Sequence, residues 1–292
     1  MKDEKDRPMK NNRKLTGSIV LVRGAGEQAS GVGWALAKAG FRVLMTEVEQ
    51  PLMVRWPVSF GTAVEEGKWS VEGLVARRVS SPEECPNVWG NGEIPILIDP
   101  DLNVLDLWQP EVLVDAILAK RNLGTQRQMA PLTIGLGPGF TAGEDVHLVI
   151  ETNRGHDLGR IIASGTAEPN TGIPGNIAGY SRERVIYSPQ AGVFRAQRQI
   201  GEKVAAGDVL GTIEGLNTPV LSPLDGVLRG LLRSGVRVGQ QVKVGDIDPR
   251  GKVEYCWTIS EKARAIGAAV VLSILEQRHS AEGNKTIICG VS

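Results

Sequence analysis

Two glycine-rich turns and one polar run hold the residues of this sequence whose types and spacing could handle an anion. The first turn is Arg23-Gly24-Ala25-Gly26, with Glu47 lying 21 residues beyond Gly26. Glycines let the backbone turn tightly and approach a ligand, and a helix starting behind them offers free N–H groups and the positive end of its dipole to a phosphate. An acid about twenty residues further on can bond a ribose hydroxyl. Ala29 fills the third fingerprint position in place of glycine, while Gly33 and Ala37 would let the helix lie close to a sheet. Arg23 replaces the apolar residue usual at the end of a first strand, and two readings are open: a guanidinium aimed at an anionic ligand, or one paired with a carboxylate. Arg23, Gly24, Gly26 and Glu47 are therefore candidate binding residues; the bland reading is a strand-to-helix turn with no ligand.

The second turn runs from Gly135 to Gly143 and offers Gly137 and Gly139 to the same crevice, unless it is only a tight connection. The polar run follows. Glu151 leads into Asn153, Arg154, His156 and Arg160, and then into Glu168 to Gly175 with Asn170 and Thr171. Arginines can fork onto phosphate or carboxylate, and Asn and Thr can orient ring edges, so these residues are candidates for wrapping a large polyanionic ligand; a hydrogen-bonded surface loop is the alternative. No Ser-His-acid arrangement, G-x-S-x-G elbow or P-loop occurs, and no catalytic residue emerges.

These residues need elements to hold them. Ser18 to Val22, Phe41 to Met45, Ile94 to Ile98, Leu132 to Leu136 and Asp145 to Ile150 read as strands, and Gly31 to Ala39 and Glu111 to Lys120 as helices. The alternation predicts an α/β fold whose parallel strands bring their carboxyl ends, and the loops after them, to one side. Further along, Gly201, Val204, Gly207, Asp208 and Val209 recur 38 residues later as Gly239, Val242, Gly245, Asp246 and Ile247. Pro189, Gly192, Val193 and Arg195 recur at an offset of 34 as Pro223, Gly226, Val227 and Arg229. Two similar halves of short strands and glycine turns imply a quasi-twofold unit.

That repeat resembles the biotinyl/lipoyl carrier domains, which hold a modified lysine on the turn between the halves. Here the turn, Glu214 to Val220, has no lysine, so covalent biotin or lipoate is not expected. The expected architecture is thus a flexible tail over 1–15, a Rossmann-like parallel-sheet domain binding a nucleotide or cofactor over 16–178, a small β-rich biotinyl/lipoyl-like barrel-sandwich hybrid over 179–250, and a C-terminal helical segment and tail over 251–292.

Composition narrows the function classes. The chain has 292 residues, 41% of them hydrophobic and 23% charged, with 33 basic and 33 acidic side chains. Six basic residues against three acidic ones lie in the first fifteen, which leaves the remainder without the basic face that nucleic-acid binding needs. That tail lacks the apolar core of a secretory signal, and the longest apolar run, Ile266 to Leu275, is short of the roughly 20 residues that span a bilayer. A cytoplasmic protein without a membrane role is expected. Cys85, Cys256 and Cys289 are odd in number and far apart, and the three histidines are scattered, so neither a disulfide framework nor a metal site is expected.

Taken together, Arg23-Gly-Ala-Gly26, Thr46-Glu47, Glu151 to Arg160, Pro169 to Gly175 and Gly245 to Arg250 look like an accessory family linked to selenium-dependent molybdenum hydroxylases. The resemblance implies a maturation role, a nucleotide or molybdopterin-type cofactor in the crevice, and an apo molybdenum hydroxylase as partner, with self-association left open. The alternative is an NAD(P)-dependent oxidoreductase using the same crevice, for which His156 is the histidine in place to act as acid or base.

Overall fold

The computed structural model describes residues 18–215 and 217–287, and the backbone alone over 281–287. The tail expected over 1–15, the last residues 288–292 and Leu216 lie outside that range. The chain opens with β1 (Ile19–Arg23), α1 (Glu27–Lys38) and β2 (Arg42–Glu47). It continues through the short helix α2 (Ala63–Glu66), the hairpin β3 (Lys68–Val71) and β4 (Leu74–Val79), α3 (Cys85–Gly90), β5 (Ile94–Ile98), β6 (Val112–Asp115) and β7 (Leu132–Leu136). Then come β8 (Thr141–Ala142), β9 (Leu148–Ile150), β10 (Ile161–Ile162) and β11 (Gly165–Thr166).

Nine of these strands form one sheet in the order β10-β9-β7-β6-β1-β2-β5-β4-β3. The seven inner strands are parallel, and the edges β10 and β3 run antiparallel to their neighbours. Alternate residues of the central strands go to opposite faces and both faces are buried. Val20, Val22, Val43, Met45, Val112 and Val114 face one core, and Leu21, Leu44 and Leu113 the other. The first face is covered by α1 and by the long C-terminal helix α4 (Glu261–Ile287); the second is covered by α3, the turn around Val104 and the segment near Ala130. The two helices touch at small residues: a Cβ on Gly31 would lie 2.7 Å from that of Ala263, and one on Gly267 would lie 2.6 Å from the Gly31 carbonyl. Gly33 sits as closely over Met45 of β2, as its lack of a side chain suggested.

The C-terminal half adds β12 (Val185–Tyr187), β13 (Gly192–Ala196), β14 (Lys203–Val204), β15 (Val209–Ile213), β16 (Thr218–Leu221), β17 (Gly226–Leu231), β18 (Arg237–Val238) and β19 (Lys243–Asp248). They form two four-stranded antiparallel sheets, β12-β19-β17-β14 and β16-β15-β13-β18, around a shared core of Phe194, Leu210, Ile213, Val227, Leu228 and Ile247. The sequence repeat appears as an exchange: the short strand β14 of the first half pairs with β17 of the second, and β18 of the second pairs with β13 of the first.

The expected Rossmann-like parallel domain followed by a biotinyl/lipoyl-type barrel is corrected on both counts. The large sheet is mixed, with an antiparallel strand at each edge, and only the β1–β2 crossover carries a helix of more than two turns; the helix beside α1 arrives from the chain's far end. The C-terminal strands form two open sheets rather than one closed barrel. The helix expected over 111–120 is also corrected. Its core, Val112 to Val114, is the central strand β6, buried on both faces, and such a strand reads as an unbroken apolar run rather than an alternating one. Among the described residues no helix is long and apolar enough to cross a membrane.

Candidate functional site

The carboxyl ends of the neighbouring parallel strands β6, β7 and β9 open onto a cavity of about 260 Å³. The loop after β6 brings Lys120, the glycine turn after β7 brings Pro138, and the polar run after β9 brings Thr152, Asn153 and Arg154. The 168–175 segment, with Asn170 and Thr171, forms the opposite wall, and Lys262 enters from the first turn of α4.

Glu151 organises this loop system. It is 2% exposed at the end of β9, its Oε1 accepts the Thr152 and Asn153 N–H groups at 2.7 and 2.6 Å, and its Oε2 accepts that of Glu168 at 2.7 Å. One carboxylate therefore ties the near wall to the far wall, and it satisfies three backbone donors that burial would otherwise leave unpaired. The two glycines of the second turn are required by crowding: Gly137, at φ 74°, abuts Thr152, and Gly139, at φ 110°, abuts the backbone of Arg121. Their role is close backbone contact, and Pro138 between them lines the cavity. Lys262 is fixed by its neighbour: Ser260 caps the start of α4, and Ala263 seated on Gly31 sets the rotation of its first turn.

Positive charge dominates the cavity. Arg154 is paired with Glu261, and its charged form is disfavoured by burial and by Arg229. Burial, then the charges of Lys120 and Arg154, pull Lys262 down to about 8. Desolvation also lowers Lys120, against the opposing pull of Glu151. Neither lysine forms an ion pair with a carboxylate among the described residues, since Glu151 serves the backbone and Glu168 takes the Asn153 amide. Nothing in this arrangement supplies a nucleophilic thiol: burial pushes Cys85 up to about 12 and raises Cys256 as well. Among the described residues no cluster of three His, Cys, Asp or Glu side chains is suited to a metal ion.

Of the residues singled out in the sequence, Asn153, Arg154, Asn170 and Thr171 meet at this cavity. The others do not. His156 is exposed at the tip of the 151–160 hairpin, and Arg160 faces solvent beside Asp157 at 3.6 Å. Arg23 is buried and spends its Nη groups on the Leu123 and Pro100 carbonyls and on Thr125 and Asp115, so the carboxylate-paired reading holds. Gly24, at φ 100°, makes the turn after β1, and Gly26 precedes α1 with open space where a Cβ would stand. The donor there is already used: Glu47 accepts the Ala25 and Val48 N–H groups at 2.8 and 2.9 Å, and burial raises its pKa in spite of them. The sequence reading missed Lys120 and Lys262. The signal for Lys262 is a Ser-Glu-Lys start to a helix whose small residues Ala263 and Gly267 match Gly31, a pattern that only pairing of the two helices explains.

Fold and site together define an α/β protein with a cationic pocket at the carboxyl edge of a mixed sheet. The chain is 48% identical over 271 residues to the uncharacterized protein YqeB of Escherichia coli (strain K12), covering 93% of this chain and 50% of that one. It thus spans about half the length of the curated relative it matches. No family model matches the chain. Among solved structures it is similar to a succinylglutamate desuccinylase/aspartoacylase from Rhodobacter sphaeroides, at a TM-score of 0.26 and 16% identity over 80% of this chain and 85% of that one. An aspartoacylase family protein from Mesorhizobium loti follows, at 0.25 and 13% over 79% and 84%. So does the product-bound ectoine utilization protein EutE (DoeB) from Ruegeria pomeroyi, at 0.22 and 12% over 78% and 56%. Scores this low transfer neither a reaction nor a site to this chain. None of these descriptions joins it to accessory proteins of selenium-dependent molybdenum hydroxylases or to nicotinamide-dependent oxidoreductases. The resemblance, the maturation role and the oxidoreductase alternative are corrected accordingly.

Proposed function

We propose that this protein binds a small anionic molecule, through a phosphate or carboxylate group, in the cavity between Arg154 and Lys262. The supporting observation is the convergence of Lys120, Arg154 and Lys262 on one cavity in which neither lysine forms an ion pair with a carboxylate among the described residues. Two of these cations are held partly out of water against mutual repulsion, an arrangement that an anion relieves. Asn153, Asn170 and Thr171 add neutral donors and acceptors around it, which suits a ligand with polar groups beyond its charge. The cofactors considered from the sequence, a molybdopterin-type cofactor and NAD(P), narrow to the phosphate chemistry they share.

The test is a calorimetric titration of pyrophosphate into the full chain and three variants. A charge-assisted contact contributes about 1.5 to 3 kcal/mol, so Arg154→Ala and Lys262→Met should each weaken binding by about tenfold or more. Arg160→Ala, which alters a solvated pair, should bind as the wild type does. Equal affinity in all four proteins would remove the cavity as the site.

A further inference from the structure

A second cavity, of about 490 Å³, lies on the other side of the Arg154–Glu261 pair, where the C-terminal sheets meet the start of α4. Arg229 of β17, Arg250, Tyr255, Ser260 and Arg264 line it, with the exposed Glu254 at its rim. Behind it lies a charge cluster of four guanidinium groups, Arg55, Arg184, Arg229 and Arg250, and three carboxylates, Glu27, Asp246 and Asp248. Each carboxylate already has a closer partner than Arg229. Arg250 holds Asp248 with two bonds at 2.9 and 2.6 Å, Arg184 holds Asp246, and Arg55 stands 3.6 Å from Glu27.

Arg229 is the cation left over. It is 4% exposed, stands 3.8 to 4.0 Å from Glu27, Asp246 and Asp248, and makes no hydrogen bond to a described residue; its buried Nε is without a partner. A buried guanidinium N–H with no acceptor is costly unless something supplies one. Arg250 cannot move over to share its carboxylate without losing its own pair and its stacking on Tyr255, where it lies 4.4 Å from the ring centre.

We propose that this cavity is a second anion site, in which Arg229 takes the oxyanion end, phosphate or carboxylate, of a small molecule. Burial of the guanidinium and its unpartnered Nε–H select a negative group, and the open side toward Tyr255 and Ser260 leaves room for a larger body behind it. This site stands on its own residues and does not require the first cavity to be occupied.

The test uses the full chain labelled with nitrogen-15 at arginine, in phosphate-free buffer, titrated with inorganic phosphate. Arg229→Met identifies the Arg229 Nε–Hε resonance by its loss. In the wild type that resonance should shift saturably with phosphate, and it should do so equally in Lys262→Met, where the first cavity is impaired. The rise in melting temperature that phosphate gives Lys262→Met should be absent from the Arg229→Met, Lys262→Met double variant. An Arg229 resonance in the wild type that phosphate leaves in place would overturn the proposal; where Arg229→Met fails to fold, the conservative Arg229→Lys supplies the same assignment. So would a double variant that keeps the full phosphate-dependent rise.

Discussion

Lys262 and Glu151 carry the account at the scale of single residues. With its folded-state pKa near 8 against an ordinary 10.5, Lys262 binds fewer protons in the folded chain than in the unfolded one between those values. Stability should therefore increase as pH climbs from 8 to 10.5, the penalty of the half-buried charge being fully present below that window. Denaturant midpoints measured across this range in anion-free buffer should rise in the wild type and stay flatter in Lys262→Met. Glu151→Gln presents an amide N–H₂ where one of three backbone donors now finds an acceptor. It should cost about 1 to 3 kcal/mol in thermal unfolding and loosen the 152–175 wall, seen as faster amide exchange at Asn153 and Glu168. Arg154, Asn153, Asn170 and Thr171 were legible in the sequence because they cluster within one run. Lys262 was not: the pair Arg154–Glu261, which joins the run to the first turn of α4, spans 107 residues, and no local spacing encodes such a meeting.

At the scale of elements, the site depends on how α4 lies on α1. Gly31→Leu would force a side chain into the backbone of Ala263 at a crossing that has no space for even one carbon, so the helices must separate and Lys262 move with them. A loss of several degrees or more in melting temperature, together with weaker pyrophosphate binding, is expected. Gly26→Ala, by contrast, adds its carbon to open space and should stay within about 1 kcal/mol of the wild type. Thermal melts of the two variants side by side separate a glycine needed for packing from one that is not. The β1, α1 and β2 elements could be read from period and glycine placement. The β6 strand could not, because Val112, Leu113 and Val114 face two cores at once and lose the alternation that marks a strand.

At the scale of the whole molecule, the sheet and the C-terminal β unit are joined through charge as well as apolar contact. Val54 and Trp56 pack on the β unit, Leu231 N–H bonds the Val54 carbonyl at 2.9 Å, and Arg55 reaches the Tyr255 carbonyl at 3.0 Å. The pocket is thus built from a sheet edge, a returning helix and loops that lie far apart in the sequence. The most direct test of that pocket is the titration of the Lys262 ammonium itself, followed by NMR on lysine-labelled protein and identified by its loss in Lys262→Met. In anion-free buffer it should titrate near 8 and move upward when pyrophosphate is added, as an anion in the cavity restores the charged form. A Lys262 that titrates at an ordinary lysine value, and does not respond to pyrophosphate, would contradict the account.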